Sequence, residues 1–166
     1  MKRFCYFFAA TVVAVLFLSC SRTEKAAVGS AHTFVLTTIK NNRLNLNDYK
    51  GKVVMLEFFA SLCPPCQTVA PDLKSIYEKY MGKGFVVLAI AMDDGPEALS
   101  AVNSFVNEFG IPYPVMIDDG TVSRQYQVIS IPTSFIIDKD GNIRDKHIGL
   151  LPDFASTLSK EIETLL

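Results

Sequence analysis

Two cysteines separated by two residues, Cys63 and Cys66, lie where an apolar, strand-like segment gives way to a helix-like one. A cysteine at the start of a helix faces unpaired backbone N–H groups and the positive end of the helix dipole, and both favour the thiolate over the thiol. Because the thiolate is the reactive form, we predict that Cys63 is a nucleophile. Cys66 follows one helical turn later and would resolve a mixed disulfide formed on Cys63.

Three other interpretations of this cysteine pair explain less. A structural disulfide between neighbours so close in sequence closes a very short loop and constrains the unfolded chain little. Half of a zinc site needs two further ligands, and outside the N-terminal segment only His32 and His147 are available. Two ordinary buried cysteines need neither this spacing nor the helix start. The pattern therefore favours a redox-active dithiol, and we predict no metal and no other cofactor.

The two residues between the cysteines, Pro64 and Pro65, have no backbone N–H. Two donors that could stabilise the Cys63 thiolate are therefore absent. Weaker stabilisation of the thiolate makes a couple less oxidising, so we expect a donor of electrons rather than a dithiol oxidase.

A single carboxylate, Glu57, interrupts the apolar strand predicted over residues 52–60. Burying a carboxylate without a partner is costly, and burial raises its pKa. Glu57 is therefore a candidate for proton transfer near the cysteines, unless it points outward or pairs with a cation.

Strand-like and helix-like segments alternate from residue 32 to the end of the chain, in the order ββ-βαβα-β-α-ββα. This order predicts an α/β fold whose central mixed sheet is flanked by helices, with an N-terminal hairpin, parallel strands next and an antiparallel hairpin last. An inserted strand and helix segment occupies residues 93–117. Its helix is expected to open at Asp94-Gly95-Pro96 and to bury one stripe of side chains. The predicted stripe is Leu99, Val102, Val106 and Phe109.

The composition excludes several classes of protein. The chain has 166 residues, of which 49% are hydrophobic and 20% charged, with a net charge of −1. It therefore lacks the cationic field that nucleic acid requires, and it is too apolar to be disordered. The length suits one domain with a core of its own.

The first residues have the order of an export signal: basic residues at 2–3, an apolar run at 4–18, and then Cys20. The segment resembles a bacterial lipoprotein signal, which implies cleavage before Cys20 and acylation of that cysteine. We predict a signal peptide at 1–19 and a lipid-anchored tether at 20–31. An uncleaved anchor helix and a plain soluble export signal are the alternatives.

From residue 32 to 166, the chain resembles the thioredoxin superfamily. Residues 56–73 are similar to the family's strand, CxxC site and following helix, including a proline inside that helix at Pro71. Ile131 and Pro132 resemble the cis-proline loop that lies against the cysteines, and Gly149 matches a glycine after the last strand. Among the subgroups, the extracytoplasmic TlpA-like and ResA-like thiol-disulfide oxidoreductases are the most similar.

The resemblance implies roles for individual residues. The family has a buried acid at the position of Glu57, which exchanges a proton with the second cysteine, here Cys66. Pro132 would present neighbouring backbone to an extended substrate segment. Leu62 departs from the family, which usually has tryptophan before the first cysteine, so substrate preference is open.

The resemblance implies that the protein reduces disulfides in exported partner proteins and receives electrons from a membrane thiol reductant. Cytochrome c biogenesis is one process in which such a reductase would act. The location implied is the periplasmic side of a bacterial membrane. The alternatives are a Cu(I) metallochaperone that uses His147, a thiol peroxidase and a non-catalytic lipoprotein adaptor. We expect His147 to be exposed, and Asp118, Asp119 and residues 138–140 to serve as turn residues.

Overall fold

The computed structural model describes residues 29–166. The predicted signal peptide, Cys20 and most of the predicted tether lie outside the described residues. The strands are β1 Gly29–Ser30, β2 Val35–Thr37, β3 Arg43–Asn45, β4 Val53–Phe59, β5 Phe85–Ala91, β6 Val115–Ile117, β7 Thr133–Ile137 and β8 Asn142–Ile148. The α-helices are α1 Pro64–Tyr80, α2 Ala98–Phe109, α3 Thr121–Gln125 and α4 Phe154–Leu165.

One six-stranded mixed sheet organises the domain, in the order β1-β8-β7-β4-β5-β6. β4, β5 and β6 are parallel neighbours, whereas β7, β8 and β1 join by antiparallel pairing. The hairpin of β2 and β3 forms a separate two-stranded sheet. The α/β architecture expected from the order of segments is confirmed, and β1 is an additional strand at one edge.

Strand β4 is the centre of the sheet, and all seven of its residues are buried. Because side chains of a strand alternate between its faces, β4 contributes to two separate cores. Val53, Met55 and Phe59 pack in the core that contains Cys66, and the intervening apolar residues pack in the other. Glu57 is two residues from both Met55 and Phe59, so its side chain lies on the same face of the sheet as theirs. This is the face that α1 covers.

The buried stripe of α2 differs from the prediction. The helix begins at Ala98, and its buried residues are Ala98, Val102 and Phe105, whereas Leu99 is 51% exposed. The ring of Phe105 lies 4.9 Å from that of Phe59, between centroids. Val102 is buried, and Val106 and Phe109 pack against the same core as predicted, so the prediction is wrong for Leu99, and Phe105 is a buried residue that the predicted stripe did not include.

Within residues 29–166, no helix is both long enough and apolar enough to cross a lipid bilayer.

Candidate active site

The two cysteines form a disulfide at the start of α1, and their Cα atoms are 5.2 Å apart. Cys63 is the N-cap residue with extended backbone, and Pro64 and Pro65 are the first two residues of the helix. Proline is favoured there because the first N–H groups of a helix have no partner within it. The first helical N–H is therefore that of Cys66, and it donates to Sγ of Cys63 at 3.3 Å.

The two sulfur-bearing side chains differ in exposure. Cys63 is half-buried, whereas Cys66 is 2% exposed and belongs to the core. A partner protein can therefore reach the sulfur of Cys63 and not that of Cys66. This difference agrees with attack by Cys63 and resolution by Cys66.

Glu57 and Cys66 line the same small cavity between the sheet and α1, with a volume of about 20 Å³. Glu57 is 4% exposed, and its Oε2 has no hydrogen-bond partner. Burial raises the pKa of the Glu57 carboxyl well above its usual range. The cavity has room for about one water molecule. The carboxyl neither points outward nor pairs with a cation in the part of the chain that the structure describes, and Cys66 is the cysteine that lines its cavity.

Tyr113, which precedes β6, lines the same cavity. Burial, and to a lesser extent the charge of Glu57, raises the pKa of the Tyr113 phenol. A neutral phenol therefore forms one wall of the cavity. No local signal in the sequence indicates this position of Tyr113, because it is one of several aromatic residues in an apolar segment.

The loop before β7 contains a cis peptide bond between Ile131 and Pro132. Gly149 donates its N–H to the carbonyl of Pro132 at 2.7 Å, and Thr133 donates its hydroxyl to the carbonyl of Ser130 at 2.7 Å. Thr133 pairs with Phe58 of β4, so the loop lies at the end of the sheet from which the chain leads to Cys63.

Two apolar side chains at this end of the domain are exposed to solvent. Leu62, immediately before Cys63, is 84% exposed, and Ile129 in the loop before Pro132 is 91% exposed. Ile131 is half-buried against both cores. Exposed apolar side chains beside a reactive group are typical of surfaces that bind a partner.

The turn before Cys63 is held by three side chains for which the sequence has no local signal. Ser61 donates its N–H to both carboxylate oxygens of Asp93, at 3.2 and 3.0 Å, and its hydroxyl also donates to this carboxylate. Gln67 donates its side-chain N–H to the carbonyl of Ser61 at 3.0 Å. All polar groups of Ser61 are thereby bonded.

The expectation that His147 is exposed is wrong. Its side chain is 13% exposed, and its Nε2 lies 2.8 Å from Oε2 of Glu161. The helix α4 supplies this partner, so Nε2 of His147 is bonded to a carboxylate. Among residues 29–166, no group of three or more His, Cys, Asp or Glu side chains is arranged to hold a metal ion.

The aspartates predicted to serve in turns do so. Asp118 accepts the N–H groups of Val122 and Ser123 at 3.0 and 2.8 Å, and Asp119 accepts that of Thr121 at 2.9 Å. Asp138 accepts N–H groups of the β7–β8 turn and pairs with Arg144 at 3.3 Å. These carboxylates stabilise local backbone.

Residues 28–146 match the AhpC/TSA family profile. The chain is 40% identical to the thiol-disulfide oxidoreductase ResA of Bacillus thuringiensis strain Al Hakam over 128 residues, which cover 76% of this chain and 72% of that protein. It is 38% identical to ResA of Geobacillus kaustophilus over 133 residues, which cover 78% and 75%. A thiol:disulfide interchange protein of the thioredoxin family from Chlorobium tepidum has a similar structure, with a TM-score of 0.75 and 26% identity over 82% of this chain and 95% of that one.

Proposed function

The chain belongs to the AhpC/TSA family of thioredoxin-like proteins, and we propose that it is a thiol-disulfide oxidoreductase that reduces disulfides of exported partner proteins. The observation that supports this most is the asymmetry of the cysteine pair. A half-buried Cys63 at the N-terminus of α1 is joined to a buried Cys66, which shares a cavity with Glu57.

In the proposed cycle, the Cys63 thiolate attacks one sulfur of the partner's disulfide, and the other sulfur leaves as a thiolate that takes a proton from water. Cys63 and the partner are then joined by a mixed disulfide. Cys66 passes its proton to the Glu57 carboxylate and attacks Sγ of Cys63, and the partner's second sulfur leaves as a thiolate. Two electrons have moved from the protein to the partner.

Glu57 suits this proton transfer because its raised pKa brings it closer to that of a thiol. A carboxylate of ordinary pKa would be too weak a base to take a thiol proton readily. A transfer between groups of similar pKa costs little, so general base catalysis is efficient.

The partner is proposed to bind at the end of the domain that contains the cis-proline loop. Pro132 and Ile131 would present backbone to an extended segment of the partner, while the exposed Leu62 covers an apolar side chain of it. Pro64 and Pro65 keep the thiolate weakly stabilised and so favour reduction of the partner.

The cycle leaves a disulfide between Cys63 and Cys66, which a thiol reductant must reduce. We propose that this reductant lies in the membrane, that residues 1–19 direct export, and that acylated Cys20 and the tether to residue 31 attach the domain to the periplasmic side. Apocytochrome c is a candidate partner. The mass of the mature N-terminus tests the anchor, since an unmodified residue other than Cys20 there contradicts it.

The activity is tested by incubating the reduced protein with a disulfide-bonded test protein and counting the partner thiols released. We expect release by the unaltered protein and none by Cys63→Ser. Equal release by both would contradict the proposal and favour an adaptor. The metallochaperone alternative lacks support, because its histidine, His147, is bonded to Glu161.

A further inference from the structure

Asp93 is anchored directly beneath the turn that precedes Cys63. It follows the end of β5 by two residues, and the N–H of Met92 donates to the carbonyl of Phe59 at 2.7 Å, which fixes this segment beside the end of β4. The carboxylate then accepts the N–H and hydroxyl of Ser61, which is 4% exposed. Cys63 is only two residues further along the chain.

The charge of Asp93 has no neutralising cation in the part of the chain that the structure describes. No Lys, Arg or His forms an ion pair with it. The cleft behind it is lined by three further aspartates and by no cationic side chain. Its partners are the uncharged N–H and hydroxyl of Ser61, which lies two residues before Cys63.

We propose that Asp93 is a positioning residue for thiol-disulfide exchange, which holds the Cys63 turn through Ser61 and keeps a negative charge behind the thiol so that the pair is more reducing. This inference rests on the proposed function. A negative charge nearby disfavours the Cys63 thiolate, and a less stable thiolate makes the dithiol form a stronger reductant.

Several other titratable groups lie on the elements around Cys63 in residues 29–166, among them Tyr113, which lines the cavity shared by Glu57 and Cys66. Cys66 follows it on α1, Glu57 lies on β4 beyond Cys66, and the exposed Asp94 follows Asp93. The loop over residues 128–132 contributes no titratable side chain. Asp94 therefore offers a matched control, because it is also an aspartate but forms no hydrogen bond with Ser61.

The test measures alkylation of the Cys63-containing peptide by mass spectrometry across a pH series, on the reduced full chain with Cys66→Ser as background. We expect Asp93→Asn to move the midpoint of the profile to lower pH and to raise the thiolate fraction below that midpoint about three- to tenfold. Asp94→Asn should shift it much less. Ser61→Ala retains the carboxylate and should leave the midpoint close to that of the background protein while lowering the melting temperature.

In the protein with both cysteines, Asp93→Asn should also change the equilibrium with glutathione toward a more oxidising couple. An unchanged alkylation midpoint, or equal shifts in Asp93→Asn and Asp94→Asn, would overturn the inference. If Asp93→Asn does not fold, Ser61→Ala/Asp93→Ala removes the charge and its hydroxyl partner together, and failure of both to fold would show that Asp93 is purely structural. Exchange by the unaltered protein is measured in parallel, so its absence would instead contradict the proposed function.

Discussion

Glu57 on the central strand and Cys66 on the first helix face the same small cavity, and the Glu57 carboxyl has an oxygen without a hydrogen-bond partner. The fold creates this pairing because β4 is buried on both faces, and one of them is covered by α1. A buried acid beside a buried thiol is costly for stability and useful for proton transfer.

Glu57→Gln is expected to slow resolution of the mixed disulfide by about a hundredfold, because Cys66 loses its proton acceptor. Attack by Cys63 should change little, since the attacking thiolate needs no base. Stopped-flow measurement of both phases with a disulfide-bonded substrate separates the two steps. Glu97→Gln, on the exposed start of α2, is the matched control. An unchanged resolution rate in Glu57→Gln would remove Glu57 from the mechanism.

Glu57 should also make stability depend on pH. Its pKa is raised well above the ordinary 4.5 in the folded state, so above pH 4.5 the unfolded chain releases a proton that the folded chain retains. Stability is therefore lost as pH rises from 4.5 towards the folded pKa, by up to about 1.4 kcal/mol per pH unit. Denaturant unfolding of the oxidised protein across this range should show a slope that Glu57→Gln lacks. Parallel curves for the two proteins would contradict burial of the acid.

Leu62 is expected to contribute to binding of protein substrates. Covering a leucine that is 84% exposed contributes about 1–2 kcal/mol, so Leu62→Ser should lower kcat/KM for a disulfide-bonded protein about five- to thirtyfold. Exchange with a small disulfide should change much less, because a small disulfide has little apolar surface with which to cover Leu62. Leu99→Ser, at an exposed leucine on α2, is the control and should lose nothing with either substrate. Equal effects of the two substitutions would argue against a docking role.

Pro65→Ala restores a backbone N–H at the second position of α1, one of the two positions from which an N-cap side chain accepts. The added donor should stabilise the Cys63 thiolate and make the couple more oxidising, changing the equilibrium constant with glutathione about tenfold. Pro64→Ala adds its N–H at the first helical position, from which the N–H points less directly at the Cys63 sulfur. This substitution should therefore change the equilibrium constant with glutathione less. A more reducing couple in Pro65→Ala would contradict this account of the prolines.

The cysteine pair and its strand and helix could be predicted from sequence because their signals are local. A helix start after an apolar strand is visible within twenty residues, and the burial of Glu57 follows from a strand that is apolar on both faces. Contacts between segments that are distant in sequence could not be predicted, because they leave no such local signal. Ser61 and Asp93 are 32 residues apart, and the partner of His147 comes from a helix whose packing direction the sequence does not state.

The orientation of α2 illustrates a second limit. Apolar residues occur at Ala98, Leu99, Val102, Phe105 and Val106, so two neighbouring stripes both satisfy the helical period. In the folded domain Phe105 packs against Phe59 and Leu99 is exposed, and the sequence alone does not show that contact.

The most direct test that Cys63 attacks the partner's disulfide and Cys66 resolves the product is to trap the mixed disulfide with Cys66→Ser. Without the resolving cysteine, attack by Cys63 on a partner disulfide should stall, and non-reducing electrophoresis with mass spectrometry should detect partner peptides joined to Cys63. Cys63→Ser in the same experiment should trap nothing, since Cys66 is buried. Adducts on Cys63 that a reductant releases are the predicted result, and their absence with a reducible partner present would contradict the account.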